Sequence, residues 1–554
     1  MKKSLFSISA LLLGFSLVGS ASESSLRRGY ERQMKALKTE LVREIPQLSE
    51  GKKSAYFSAL QQEEAAAKQL KQAQARMGEI NKAKALVGEA KNKLIAAAKK
   101  GLAKAKGKLD KARTYTGQIE AKKELAKWEK NLAAGEQALK ERTANYEKFK
   151  GYKPKISREI EKAKAELAAA KRAVIAAINN MGLLAFLADD RLDGKLARYV
   201  ALKDATPQAL AKYAAQSREH EKQVEAMLAS DYFLIQMAVA DGPRRGRGAK
   251  HPDYGRMLEI YSGIQKATDQ AAQGPLRRLA LAIALEHAAP HKLRAAKADT
   301  EAPTYIDPVK RYLQFEKAFL NGELDPHFKD LTAWDMRMVV DGSEPDEILV
   351  WGREMLRNYR PDHITTSNHR WRYVALTRTE IPYGREDTKY DKDELQFMQN
   401  ILMNGGVCGR RAFIGRFILR AFGNPTAARP QRGHAALVRW TPNGWVPVLG
   451  ATWGSGWTKT PYDRDRDFLA TTQARALGDR YLQVKRAHWI GDLMDEPRVW
   501  GLLNNRKPPE FWNSVALYTQ RGLIAYSKEL EAVGEELSEA DVSDVVYEIE
   551  TAEV

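Results

Sequence analysis

The sequence predicts an α+β protein: a long N-terminal helical coiled-coil hairpin, a helical middle region, and a C-terminal domain that combines a helix with a β-hairpin. Three observations predict it. No proline occurs between Pro46 and Pro154, an interval dominated by alanine and lysine, both strong helix formers. Apolar residues recur there every seven positions. From about Tyr305 onward prolines, tryptophans and turn signals increase, and two strand-like runs flank Thr441-Pro442-Asn443-Gly444. The expected divisions are a signal peptide at 1–21, a basic arm at 22–185, a helical region at 186–300, the sheet-bearing domain at 301–525 and an acidic tail at 526–554.

The N-terminus has the layout of a cleavable secretory signal. Lys2 and Lys3 precede the apolar run Leu5 to Val18, and Gly19-Ser20-Ala21 supplies small residues before Ser22-Glu23. No cysteine lies near that junction, which excludes a lipoprotein anchor, and no later stretch approaches a transmembrane length. The expected location is therefore secreted or periplasmic. The 554 residues contain one cysteine, Cys408, so an internal disulfide, a Cys-type zinc site and an iron–sulfur cluster are excluded.

The arm holds the basic character. Residues 51–150 carry 24 Lys+Arg against 11 Asp+Glu, while the whole chain has a net charge of +20. Leu125, Leu132, Leu139 and Tyr146 form one heptad stripe, with Trp128 and Phe149 beside it. Ile160, Leu167, Val174 and Met181 form a second, and Ala163, Ala170 and Ala177 fill its alternate seam. Gly151-Tyr152-Lys153-Pro154 separates the two, so the sequence predicts helices that fold back on each other at that break. The arm reads as a solvated spacer, with an electrostatic tether to an acidic envelope polymer as its sharper alternative. It lacks the aromatic interleaving and motifs of a nucleic-acid binder, so no specific nucleic-acid partner is expected.

Residues 186–300 read as further helices. Gly242 to Gly248 is a basic loop, and His287 and His291 share a helical spacing, but Pro290 between them argues against a metal pair. Glu529 to Val554 carries ten Asp/Glu and no Lys or Arg.

The chemistry lies near Cys408. Trp371 to Ile381 reads as β-rich and Glu394 to Met403 as helical. After Gly405-Gly406-Val407, the run Ala412, Phe413, Phe417, Ile418, Ala421 and Phe422 predicts a helix that stops at Gly423-Asn424-Pro425. Cys408 thus falls at a helix N-terminus, where unpaired N–H groups and the helix dipole favour the thiolate nucleophile. His434 opens the strand-like run His434 to Trp440, and Trp445 to Leu449 returns. A hairpin of this kind places an imidazole where it can serve as base to the thiol.

These residues resemble the transglutaminase-like superfamily. The carriers are Gly-x-Cys at a helix start, Arg420-Ala421-Phe422-Gly423-Asn424-Pro425 with Arg429, His434-Ala435, and Gly444-Trp445-Val446, together spanning roughly residues 400–455. The resemblance implies a C-terminal domain in which a helix packs on an antiparallel sheet, and a papain-type Cys–His–Asp core with Cys408 as nucleophile and His434 as its base. It implies an exported cysteine enzyme acting on peptide or protein amide bonds, by hydrolysis or by acyl transfer to an amine, with no metal or organic cofactor. One departure stands out: where the family places its Asp, this chain has Leu449 in Val448-Leu449-Gly450-Ala451-Thr452-Trp453. A backbone carbonyl, or Asp463, Asp465 or Asp467, is left to orient the imidazole. Otherwise the domain is an inactive binding or scaffold module of the cell envelope.

Overall fold

The computed structural model describes residues 22–525 apart from 370, 385–387, 451–452, 454–455, 463, 500 and 502–506. The expected signal peptide at 1–21 and acidic tail at 526–554 lie outside the described residues. The described chain is mostly helical with one three-stranded antiparallel sheet, the α+β class. It divides into two compact units: Pro46–Phe186, and a second that joins the described residues before Pro46 to those after Phe186.

The first helix, α1 (Glu23–Glu44), departs from the expected arm that starts at residue 22. Tyr30, Leu37 and Leu41 lie on one face at helical spacing and are buried. That face packs on α6 (Asp193–Ala205) and on the helix Pro207–Ala214, within the larger unit. Pro46, which has no N–H to donate, follows the end of α1, and the arm unit begins with it.

The arm itself is a hairpin, but its turn is not at Gly151–Pro154. Ser49 caps α2 (Glu50–Glu89), which continues through a π-helical turn, Ala90–Ile95, into α3 (Ala96–Lys111). The chain reverses at Ala112-Arg113-Thr114, where the Thr114 hydroxyl accepts from the Gly117 N–H and starts α4 (Tyr115–Lys150). Gly151 and Tyr152 keep right-handed helical angles, so the chain passes onward into α5 (Lys153–Asn180), which packs on α2. Pro154 sits in the first turn of α5, where no intrahelical N–H bond is lost, so it does not force the expected reversal. Ion pairs mark the antiparallel register: Arg76 with Glu159, Arg142 with Glu89 at 2.9 Å and Lys108 with Glu124 at 2.7 Å. Small residues make the seam. Ala59, Ala66 and Ala73 of α2 and Ala163 and Ala170 of α5 are buried, and Gly101 lies directly against the Trp128 ring.

In the larger unit, α7 (Gly274–His287) carries the wholly apolar run Leu279 to Leu285, buried on every side, so it forms a central helix rather than a surface one. The region Trp371–Ile381, expected to be β-rich, holds turns and the short helix Leu376–Thr379 instead. Its large side chains fill the core rather than pair: Trp371, Tyr373 and Val374 are buried, and the Tyr373 ring stacks on Phe422 with centroids 4.6 Å apart. Helix α8 (Cys408–Ala421) packs on β1 (Thr426–Gln431) and β2 (His434–Thr441). The strand β3 (Gly444–Val448) completes the order β1-β2-β3, with Pro447 on an edge strand, where its missing N–H is tolerated.

Candidate functional site

The start of α8 is built by its flanks. Gly405 adopts φ 72° and ends the preceding helix, Phe397–Asn404. The Gly406 N–H donates to the Pro382 carbonyl at 3.1 Å, and any Cβ on Gly406 would run into the Arg410 side chain. Val407 is the extended cap residue, and the first bond of the helix runs from the Arg411 N–H to its carbonyl at 3.1 Å. Cys408 is therefore the first helical residue, half-buried and free of any disulfide. The N–H groups of Cys408, Gly409 and Arg410 have no intrahelical acceptor and form a donor cluster beside the sulfur.

Two arginines fix this turn. Arg410 grips Asp391 with bonds of 2.9 and 3.1 Å. Burial works to raise the Asp391 carboxyl, but Arg410 and Asn404 hold it below the usual carboxylate range. Arg411 donates to the Thr377 carbonyl at 2.6 Å.

Helix and strand run the same way. The chain leaves the C-terminal end of α8 into β1, whose first residue, Thr426, pairs with Arg439 near the end of β2. Gly415 abuts the Leu437 side chain, a contact that leaves no room for a Cβ. Cys408 lies seven helical residues back from Gly415, about 10.5 Å. His434 lies three strand residues back from Leu437, about 10 Å. Both expected site residues thus stand at the same end of the α8–sheet layer.

The His434 ring is oriented by a main-chain group. Its Nε2 lies 2.8 Å from the Leu449 carbonyl, and a carbonyl only accepts, so Nε2 carries a hydrogen, and in the neutral ring the lone pair is on Nδ1. Leu449 adopts φ 66°, a conformation costly for a residue with a Cβ. The carboxylates weighed as substitutes are placed differently. Asp465, the first residue of α9 (Asp465–Arg475), is buried against Arg429, accepts from Arg429 Nε at 2.9 Å and also takes the Gly456 N–H at 3.1 Å. Asp467 is buried on the same helix, and Asp463 lies outside the described residues.

No hydrogen bond joins Cys408 to His434. The pleat explains why: alternation places His434 with Ala436, Val438 and Trp440, while Leu437 faces α8. Trp445, the cross-strand partner of Trp440, meets Phe468 of α9 edge-on at 5.0 Å. The sheet is therefore covered by α8 on one face and α9 on the other, and the imidazole belongs to the α9 face.

Sequence reasoning missed the pairs that hold this layer. Arg429 is a fully buried strut to Asp465, and its guanidinium also covers the Trp453 ring at 5.4 Å. Arg420 holds Asp341 at 2.7 Å. The signal available was the density of arginine within an apolar helix. His287 and His291 meet edge-on at 5.1 Å, and His287 Nε2 lies 3.1 Å from the Val340 carbonyl. Burial pushes His287 down to about 3 and His291 to about 4. Among the described residues no group of three His, Cys, Asp or Glu is arranged to hold a metal ion. The basic loop is also engaged: Arg244 pairs with Glu286 at 2.5 Å. No family model, curated protein or solved structure matches this chain.

Proposed function

We propose that the chain is a transglutaminase-like cysteine enzyme acting on amide bonds of peptides or proteins, by hydrolysis or by acyl transfer to an amine. The observation that carries this reading is the Nε2–Leu449 carbonyl bond, which leaves His434 Nδ1 as a base at the end of the sheet where α8 presents Cys408. In the proposed reaction His434 Nδ1, at the end of the sheet where β2 begins, takes the Cys408 proton while the Leu449 carbonyl keeps the Nε2 hydrogen. The thiolate attacks the substrate carbonyl, and the N–H cluster at the start of α8 stabilises the oxyanion. Protonated His434 then gives its proton to the leaving amine, and water or a second amine releases the acyl group. The expected setting is secreted or periplasmic, with the basic arm as a spacer or a tether to an acidic envelope polymer.

A second reading is favoured by the pleat, which sets His434 on the face away from α8: a non-catalytic binding or scaffold domain built on the same layer. One experiment separates the two. The enzyme reading expects iodoacetamide to alkylate Cys408 at pH 7 faster than a free thiol, with a loss of about tenfold or more in His434→Ala, and amide turnover that Cys408→Ala abolishes. Equal labelling of wild type and His434→Ala, with no Cys408-dependent turnover across a peptide library, leaves the binding reading standing and refutes the enzyme.

A further inference from the structure

The arm concentrates its charge at its tip. Residues 99–130, the outermost part of the hairpin around the Ala112–Thr114 turn, hold eleven Lys+Arg against four Asp+Glu. At 1.5 Å per residue this surplus is packed into about the last 20–25 Å of the two antiparallel helices. Lys108 is paired with Glu124, whereas Lys104, Lys106, Lys111, Arg113, Lys122 and Lys123 are all exposed. Set among them are two residues that a purely solvated tip would not need. Tyr115, the first residue of α4, is 81% exposed, and Ile119, four residues on and so on the same helical face, is 37% exposed.

We propose that this tip docks on the surface of an anionic phospholipid bilayer. Lysine and arginine supply the attraction to phosphate headgroups, worth about a fivefold gain per residue near the surface and lost as salt screens it. Tyr115 and Ile119 enter the headgroup boundary, where an amphipathic ring with an aliphatic neighbour gains burial while its hydroxyl stays wet. A hydrated polyanion satisfies the cations equally well but offers nothing to those two side chains, whereas lipid satisfies both. The contact is peripheral: among the described residues no helix is long and apolar enough to cross a membrane. This inference stands apart from the Cys408 chemistry and survives its failure.

The test is cosedimentation of the full chain with vesicles of phosphatidylcholine alone or mixed with phosphatidylglycerol, at low and high salt. Binding is expected only to the mixed vesicles and is expected to weaken with salt. The pair Tyr115→Ser and Ile119→Ser lowers the association constant about tenfold. Lys104→Gln, Lys106→Gln, Lys111→Gln and Arg113→Gln together lower it about a hundredfold or more. Tyr115→Phe keeps binding, and circular dichroism confirms that each variant retains the helical signal. Equal binding to neutral vesicles, or no binding of the wild type, overturns the proposal. It is equally overturned if the serine pair binds as the wild type does while soluble polyphosphate competes fully, which identifies a polyanion site only.

Discussion

The Arg429–Asp465 pair offers the sharpest test of how the candidate site is held and of which group serves His434. Arg429 is 0% exposed and Asp465 2%. They join β1 to the first turn of α9 across the face that carries His434. In Asp465→Asn the guanidinium stays buried while the negative charge it pairs with at Asp465 goes, so less of the desolvation already incurred is offset. Removing one member of such a pair costs about 3–5 kcal/mol. The Gly456 N–H keeps an amide oxygen to bond, which places the expected loss toward the lower end, about 3 kcal/mol. The double change Arg429→Met with Asp465→Leu removes both charges at similar volume and is expected to return to within about 1–2 kcal/mol of the wild type. Urea unfolding followed by tryptophan fluorescence is the suitable assay, since Trp128 is the one tryptophan of the eleven that lies in the arm unit. A loss below about 1 kcal/mol for Asp465→Asn refutes the buried-charge argument. Loss of Cys408-dependent turnover at unchanged stability refutes the assignment of His434 orientation to the Leu449 carbonyl and gives that task to Asp465.

Further expectations concern other parts of the chain. Asp241 accepts from Trp334 Nε1 at 3.0 Å, the Tyr462 hydroxyl at 2.9 Å, Arg475 Nη2 at 2.7 Å and Lys485 Nζ at 2.9 Å. Burial alone would raise its carboxyl, but Arg475 and Lys485 hold it well below the usual range. Asp241→Asn leaves two buried cations without their countercharge and should cost about 3–5 kcal/mol in urea titrations. His488, whose Nδ1 donates to Asn513 Oδ1 at 2.7 Å, is pushed down to about 4 by burial. Its folded value lies below its unfolded value near 6.5, so the unfolded chain binds more protons between them. Stability is therefore full above about pH 7 and falls as the pH drops toward 4, by up to about 3 kcal/mol from this residue. His488→Gln should flatten that part of a stability–pH profile, and an unchanged slope contradicts the assignment. In the arm, Gly101→Ala drives a methyl into the Trp128 ring and should lower the helical melting transition, by about 1–3 kcal/mol. Gly107→Ala meets nothing within 4 Å and should raise it by up to about 1 kcal/mol.

Much of the local structure is legible in the residues alone. The glycine pair before Cys408, the apolar period after it and the Gly423-Asn424-Pro425 stop define α8 from Cys408 to Ala421. The two-residue turn Pro442–Asn443 between Thr441 and Gly444 defines the β2–β3 hairpin and its register. These signals are local, because capping, turn geometry and side-chain period act over a few residues. The arm shows where local reading stops. Its heptads identify helices, but Gly151–Pro154 looks like a reversal and is not one, since proline in a first helical turn costs nothing. Which of two breaks becomes the hairpin depends on the alanine seam between α2 and α5, a match made across roughly a hundred residues of chain.

The sequence by itself determined the helical character of the arm, the helix that starts at Cys408 and the strand that starts at His434. Only the tertiary structure decided what surrounds them. It assigned α1 to the larger unit through the buried face of Tyr30, Leu37 and Leu41. It gave Asp465 to Arg429 and the Leu449 carbonyl to His434. It also set His434 on the α9 face of the sheet rather than beside Cys408. The physical reason is common to all three: secondary structure follows from bonds and periods along the chain, whereas the partner of a buried charge or ring is chosen by packing between segments remote in sequence, where desolvation makes each pairing all or nothing.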